Sequence, residues 1–145
     1  MIYEIRKQFK FEYSHQLFKA YSTACSDCIH GHSAVVEVFF RNHQTDETGM
    51  VIDFGEISKL FKEYIDGYWD HALIMPDKFE KEYLDALAKY NKKLRIVDYN
   101  PTAEKMAKEM FNKFYEMLVS VGKQELLQGV RVHETATGWA EYKRV

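Results

Sequence analysis

The segment YEIRKQFKFEY, residues 3–13, alternates between apolar and polar side chains along almost its whole length. Successive side chains of a β-strand point to opposite faces, so a period of two predicts a strand with one face buried and one face in water. The apolar side chains all have odd numbers: Tyr3, Ile5, Phe9, Phe11 and Tyr13. His15 has the same parity just beyond the predicted end of the strand, and we therefore expect its imidazole on the buried side.

Further strands are predicted on both sides of a helical middle region. Residues 33–41 are rich in Val and Phe and form a second strand, and residues 50–54 are expected to pair back on it as a hairpin. Near the C-terminus, residues 130–135 and 139–143 flank Gly138 and predict another hairpin. Strands that occur in adjacent pairs favour an antiparallel sheet with helices on one face, which is an α+β fold.

Helical periodicity begins after Gly55, where apolar residues recur at spacings of three and four as far as Tyr68. Asp53 is a candidate N-cap for this first helix. A longer helix is predicted after Thr102, whose hydroxyl is suited to capping, and Gly122 is placed to end that helix.

Residues 76–98 separate the two main helices and are predicted to be a peripheral helical insert. Asp77 can cap a short helix there, and residues 94–97 are expected to be extended. The chain contains no internal repeat and no low-complexity linker, so we expect a single domain over residues 1–145.

Length and composition fit an ordinary globular domain, with 145 residues of which 46% are hydrophobic and 29% are charged. A formal net charge of −2 argues against a generic binder of nucleic acid or anionic membranes, since both need a basic excess. No apolar run approaches the roughly 20 residues of a membrane span. The charged N-terminus does not resemble a signal peptide, and two cysteines make no disulfide framework. We therefore expect a cytoplasmic protein.

Three histidines share the apolar parity of the first two strands: His15, His30 and His32. Side chains at positions i and i+2 of a strand project to the same face, roughly 6.5–7 Å apart, and Gly31 between the last two permits a close backbone approach. Three imidazoles with one open position form the arrangement of catalytic zinc sites. The sequence therefore predicts a catalytic metal site; the alternative is ordinary polar or packed histidines.

Cys25 and Cys28 lie just ahead of His30. Together with the two nearby histidines they could form a closed structural zinc site, but that would crowd all four ligands into residues 25–32, unlike the usual zinc-finger spacing. A second hypothesis is a thiol whose pKa is lowered by a nearby metal, acting as a base or nucleophile. A third hypothesis is that the two cysteines lie in a loop and have no functional role.

Two acidic residues, Asp70 and Glu134, are further candidates for the site. Asp70 precedes His71 directly and could orient its imidazole for proton transfer, although such adjacent pairs also occur on ordinary surfaces. Glu134 shares the parity of Val130 and Val132, so its carboxylate should point toward the apolar side. A buried carboxylate needs hydrogen-bond donors, which either a bound heterocycle or an internal Arg could supply.

Six motifs, taken together, resemble the family of 6-pyruvoyl-tetrahydropterin synthases and bacterial 6-carboxy-tetrahydropterin synthases. They occur in the family's order and span nearly the whole chain. The motifs are FEYSH (residues 11–15), CSDCIHGH (25–32), GMVIDF (49–54), DHAL (70–73), NPTAE (100–104) and VHET (132–135).

The resemblance implies the tunnelling fold, in which an antiparallel four-stranded sheet carries two helices on one face. It also implies that subunits form a barrel by oligomerisation, as a homohexamer of two stacked trimers with active sites at subunit interfaces. The implied site roles are zinc binding by His15, His30 and His32, proton transfer by Cys25, Asp70 and His71, and pterin binding by Glu134, Thr102 and Thr135.

The reaction implied by the resemblance is the zinc-dependent conversion of 7,8-dihydroneopterin triphosphate to 6-carboxy-5,6,7,8-tetrahydropterin, with release of acetaldehyde and triphosphate. Its product serves queuosine or related deazapurine biosynthesis. Formation of 6-pyruvoyl-tetrahydropterin from the same substrate is the alternative, and a non-catalytic zinc-stabilised interaction domain is a third hypothesis.

The chain departs from the family pattern at three places. Relatives often have the reactive Cys four residues before the first His of His-Gly-His, where Ser26 stands here, so Cys25 is favoured with Cys28 and Asp27 as alternatives. The usual Asn after the Asp-His motif is absent, because Ile74 follows Leu73. The insert at residues 76–98 is also longer than in the shortest relatives.

Overall fold

The computed structural model describes residues 1–145 as an α+β fold built on one six-stranded sheet. The strands, in chain order, are β1 (Tyr3–His15), β2 (His30–Asn42), β3 (Ala72–Pro76), β4 (Leu94–Val97), β5 (Leu127–His133) and β6 (Trp139–Lys143). The helices are α1 (Thr23–Ser26), α2 (Phe54–Tyr64), α3 (Lys81–Tyr90) and α4 (Ala103–Val119). No helix is long and apolar enough to span a membrane.

The sheet is mixed, with the strand order β4-β3-β1-β2-β5-β6. Strands β1, β2, β5 and β6 are antiparallel neighbours, whereas β3 is parallel to the end of β1 and β4 is parallel to β3. The expected four-stranded antiparallel sheet is therefore only part of the observed one. All five residues of β3 are buried, so this strand lacks the alternation that reveals a half-exposed strand.

The predicted hairpin strand at residues 50–54 is wrong. Both edges of β2 are already occupied, by β1 and β5, so no edge is left for a third partner. Ile52 instead buries its side chain in the core from an irregular segment. Asp53 then caps α2, as predicted, by accepting a hydrogen bond from the N–H of Glu56.

Helices α2 and α4 pack on the sheet face that carries the odd-numbered apolar side chains of β1, and together they enclose the main core. Thr102 caps α4 as predicted, since its hydroxyl accepts from the N–H of Lys105. The helix ends before Gly122, which takes a left-handed turn with φ +70°. After α2 the chain continues through a wider π-type turn, Ile65–Trp69.

Helix α3 packs against the opposite side of β3, where Leu84 contacts Leu73 and Met75 in a small second cluster. The expected cap of this helix is wrong, because the N-cap is Glu80 rather than Asp77. The N–H of Asp77 instead donates to the carbonyl of Val97 at 2.9 Å, which ties the end of β3 to the end of β4.

Candidate active site

The three histidines converge where β1 ends and β2 begins. The antiparallel register places His15 opposite His30 and Tyr13 opposite His32, so all these side chains share one face. One ring nitrogen from each of His15, His30 and His32 lies within 4.8 Å of the others. The cluster contains neither Cys25 nor Cys28, so the residues do not form the closed two-cysteine, two-histidine site.

The ring nitrogens of the cluster leave lone pairs facing one another. The Nδ1–H of His15 donates to the carbonyl of Pro101 at 2.8 Å, and the Nδ1–H of His30 donates to the carbonyl of Cys28 at 3.1 Å. These bonds select the tautomers whose Nε2 atoms carry lone pairs, and these two atoms are only 3.0 Å apart. The Nε2 of His32 is buried and makes no hydrogen bond. Such an arrangement becomes favourable when a cation or a proton lies between the rings.

The charge state of the rings also suits a metal. His15 is fully buried, and this burial lowers its pKa to about 4. Burial likewise lowers the pKa of His32. Both imidazoles are therefore neutral near pH 7, and the neutral ring is the form that binds metal ions.

Glu134 lies just past the end of β5, beside the histidine cluster. Its Oε1 accepts a hydrogen bond from the hydroxyl of Tyr13 at 3.1 Å and lies 3.6 Å from the Nε2 atoms of both His15 and His32. Its side chain keeps 32% of its surface exposed. The carboxylate thus faces the apolar side of the strand, as its parity predicted, and remains partly open to a ligand.

Asp70 and His71 form the predicted pair at the start of β3. The Nδ1–H of His71 donates to Asp70 Oδ2 at 2.9 Å, while Asp70 Oδ1 accepts from the backbone N–H of Glu12 at 2.8 Å. Partial burial opposes ionisation of Asp70, but these two bonds outweigh it and hold the pKa of the carboxyl below its usual value. The His71 backbone has φ +61°, a left-handed conformation that is uncommon for a residue with a side chain.

Within one chain, this pair is separate from the histidine cluster. The His71 side chain is 76% exposed, and no hydrogen bond joins it or Asp70 to His15, His30 or His32. The pair therefore lies on an open surface of the chain.

The remaining predicted site residues have local roles in the structure. Cys25 is half-buried in α1, and its carbonyl accepts from the N–H of Leu17 at 2.9 Å. Thr102 directly follows Pro101, the residue that holds His15. Thr135 is exposed, and its Oγ1 accepts from the N–H of Gly138 at 3.0 Å within the last turn. None of their side chains bonds to the histidine cluster.

Sequence reasoning missed Tyr13 as part of the site and treated it only as a strand residue. It is buried, its ring meets that of His15 edge-on at 5.0 Å, and its hydroxyl bonds to Glu134. Burial and the Glu134 carboxylate raise its pKa well above the usual value, so the hydroxyl stays a donor. The sequence signal that could have found it is the parity that Tyr13 shares with His15. A tyrosine buried on the same face as a candidate site needs a hydrogen-bond partner there for its hydroxyl.

Comparison with known proteins identifies the family of the chain. The family model described as 6-pyruvoyl tetrahydropterin synthase matches residues 4–145. The chain belongs to this family. It is therefore an enzyme of the pterin synthase family, and it carries the three histidines, the acidic pair and Glu134 described above.

Two named relatives and one solved structure match nearly the whole chain. The 6-carboxy-5,6,7,8-tetrahydropterin synthase of Aquifex aeolicus is 33% identical, over 99% of this chain and 99% of the relative. The enzyme of the same name from Rickettsia felis is 30% identical, over 93% of this chain and 96% of the relative. The solved structure of Caenorhabditis elegans 6-pyruvoyl tetrahydropterin synthase superposes with a TM-score of 0.71 at 22% identity, covering 100% and 97% of the two chains, and shows the common fold.

Proposed function

We propose that this chain is a zinc-dependent 6-carboxy-5,6,7,8-tetrahydropterin synthase. It would act on 7,8-dihydroneopterin triphosphate and release acetaldehyde and triphosphate, a step of queuosine or related deazapurine biosynthesis. The observation that carries the proposal is the buried cluster of His15, His30 and His32 with Glu134 beside it. The names of relatives at 30% and 33% identity support the carboxy product.

The three histidines fit a zinc ion. They supply ring nitrogens in a group of the right size, and the unpartnered Nε2 of His32 is part of that group. Zinc prefers such nitrogen ligands, and three of them leave one position open. When bound, Zn²⁺ supplies Lewis acidity that lowers the pKa of hydroxyl groups on the substrate side chain.

The protein's own groups would then bind the substrate and move protons. The exposed part of the Glu134 carboxylate can accept from the adjacent amino and ring N–H groups of a pterin. Asp70 orients His71, which relays a proton, and the Cys25 thiolate accepts one, with Asp27 and Cys28 as the alternative bases. Thr102 and Thr135 would line the pterin pocket.

We further propose that the working enzyme is a homohexamer, a dimer of trimers, with active sites between subunits. The exposed His71 and the lack of any bond between it and the histidine cluster support this assembly. The sheet also has free edges, because β6 has one neighbour and β1 pairs with β3 only at Tyr13–His15. Light scattering coupled to size-exclusion chromatography tests the hexamer.

The experiment that tests the function is anaerobic incubation of the zinc-loaded protein with 7,8-dihydroneopterin triphosphate, followed by mass analysis. We expect 6-carboxy-tetrahydropterin and acetaldehyde. A pyruvoyl product would instead favour the second candidate, which the description of the matching family model supports. No turnover by a zinc-loaded hexamer would contradict both.

The role of the acidic pair can be tested in the same assay. Asp70→Asn should lower kcat about 100-fold, because proton transfer by a positioned group contributes roughly 10²–10⁴-fold, and should leave the zinc content unchanged. Asp66→Asn is the matched control, since Asp66 is a nearby aspartate whose carboxylate pairs only with the exposed Lys62. Equal activity of the two variants would contradict the role of Asp70.

A further inference from the structure

We propose that Tyr13 is a positioning residue that holds Glu134 away from the metal and so reserves this carboxylate for the pterin. The inference rests on the proposed function, because it assumes a metal at the three histidines and a pterin at Glu134. It concerns a residue in β1 that acts through Glu134 and that touches neither reacting group itself.

Glu134 is placed where it could serve the metal instead of the pterin. Ligands at about 2.0–2.1 Å from a tetrahedral zinc ion are about 3.3–3.4 Å from one another. The Oε1 atom of Glu134 is already 3.6 Å from the Nε2 atoms of His15 and His32. Oε1 is therefore close enough to the ring nitrogens to become a further ligand of the same ion, and carboxylate oxygens are good zinc ligands.

Tyr13 opposes this movement. Its hydroxyl donates to the same Oε1 atom at 3.1 Å, and a hydrogen bond to a carboxylate is stronger than one between neutral groups. The ring itself cannot follow a moving carboxylate, because it is buried, stacked on Phe11 at 5.4 Å and packed edge-on against His15. The donor is therefore fixed in space, and the carboxylate is fixed with it.

The consequence is a division of roles within one carboxylate. Oε1 is held by Tyr13, whereas Oε2 has no hydrogen-bond partner within the chain and belongs to a side chain that is 32% exposed, so it is available to a ligand. Without the hydroxyl, Oε1 would be free to bind the metal, which would close the open position and turn Glu134 away from the pterin.

The test uses the assembled protein loaded with Co²⁺ in place of zinc, because the visible absorption of Co²⁺ reports its ligands. In Tyr13→Phe we expect an altered Co²⁺ spectrum and about tenfold weaker binding of the unreactive pterin neopterin, since loss of an outer-shell partner typically costs 10–100-fold. In Tyr13→Phe/Glu134→Gln, the Co²⁺ spectrum should return to that of Glu134→Gln. Tyr115→Phe is the control, because Tyr115 also donates to a glutamate, Glu125. Tyr115 lies near the C-terminal end of α4.

A second measurement keeps the proposal testable even if Tyr13→Phe folds poorly. Glu134→Gln alone should leave the Co²⁺ spectrum unchanged, because Tyr13 already keeps Glu134 off the metal. A changed spectrum in that variant overturns the proposal, and so does a Tyr13→Phe variant with wild-type spectrum and wild-type neopterin affinity. If the spectra of the variants change as expected but the wild-type protein forms no product, Tyr13 keeps its role and the proposed reaction is rejected. Absence of Co²⁺ binding would overturn both.

Discussion

Two polar clusters lie on opposite faces of the same pair of strands, and they differ in how their polar atoms are satisfied. On the face away from α2 and α4, the Glu37 cluster places a carboxylate that is only 1% exposed against Arg6, Gln8 and His133. On the helix-covered face lies the histidine cluster, His15, His30 and His32. Both bury polar atoms in the sheet, but only one of them does so with complementary groups.

In the Glu37 cluster, donors and acceptors match. Gln8 donates at 3.1 Å, and Arg6 and His133 also donate to the carboxylate. Burial of Glu37 opposes its ionisation, but these bonds outweigh burial and lower the pKa of the carboxyl. A fully satisfied cluster needs no ligand, so we interpret it as a structural element.

In the histidine cluster, the Nδ1–H donors of His15 and His30 point outward to backbone carbonyls, and their Nε2 acceptors point at each other. The result is a 3.0 Å approach of two lone-pair nitrogens and one nitrogen without a partner. Unsatisfied buried polar groups are costly, and those that persist in native proteins call for an explanation such as a bound ion. The comparison therefore teaches that a mismatch in hydrogen-bond chemistry, rather than burial, distinguishes a binding site from a structural cluster.

The largest expected effect is loss of metal from the histidine cluster. His32→Gln should lower zinc affinity by more than about 100-fold, because loss of an outer-shell partner alone costs 10–100-fold and His32 is a proposed direct ligand. Activity should fall with it, as measured by zinc content after dialysis and by product formation. His133→Gln, in the satisfied cluster, is the matched histidine control and should keep its zinc. Equal zinc loss in both variants would erase the distinction between the clusters.

The next effect concerns stability on the other face. Glu37→Gln should lower the free energy of unfolding by about 2 kcal/mol, because hydrogen bonds to a charged group are worth roughly 1.5–3 kcal/mol and the amide removes the charged acceptor that Gln8 and His133 share. Urea denaturation of the metal-free protein would measure this loss. Zinc content should not change. A stability equal to that of the wild type would mean that the cluster adds nothing to the fold.

A pH titration of the metal-free protein probes the histidine cluster directly. The folded pKa of His15 is about 4, below the unfolded value near 6.5, so the unfolded state binds more protons between these values. The contribution of His15 to the free energy of unfolding is fully present above pH 6.5 and is lost as the pH falls toward 4. The loss reaches about 2 kcal/mol by pH 5.

The lowered pKa of His32 acts in the same direction. Urea midpoints at pH 7 and pH 5 measure the combined effect. His15→Gln should flatten this pH dependence, whereas His43→Gln, at an exposed histidine remote from the cluster, should keep the wild-type dependence. An unflattened curve for His15→Gln would argue against a neutral, buried His15.

The smallest effect is expected at the rim of the Glu37 cluster. The Arg6 side chain is 56% exposed, and ion pairs open to solvent are worth roughly 0–1 kcal/mol. Arg6→Ala should therefore lower the free energy of unfolding by less than about 1 kcal/mol, as measured by urea denaturation. A loss as large as that of Glu37→Gln would show that Arg6 supplies most of the stabilising charge.

Much of the fold follows from local patterns in the sequence. The alternation in residues 3–13 predicts β1 and its buried face, and the helical spacing with the caps Asp53 and Thr102 predicts α2 and α4. The parallel strands β3 and β4 are not predictable in this way. A strand buried on both faces shows no alternation, and neither its partner nor its direction is written in its own residues.

The sequence by itself determined which residues share a face, because side-chain parity is a property of the strand. It thereby brought His15, His30 and His32 to one side of the sheet and directed Glu134 the same way. Only the tertiary structure decided that the hydroxyl of Tyr13 meets a carboxylate 121 residues away, and that Asp70 accepts from the backbone of Glu12. Those contacts depend on strand order and register, which the packing of the whole core selects.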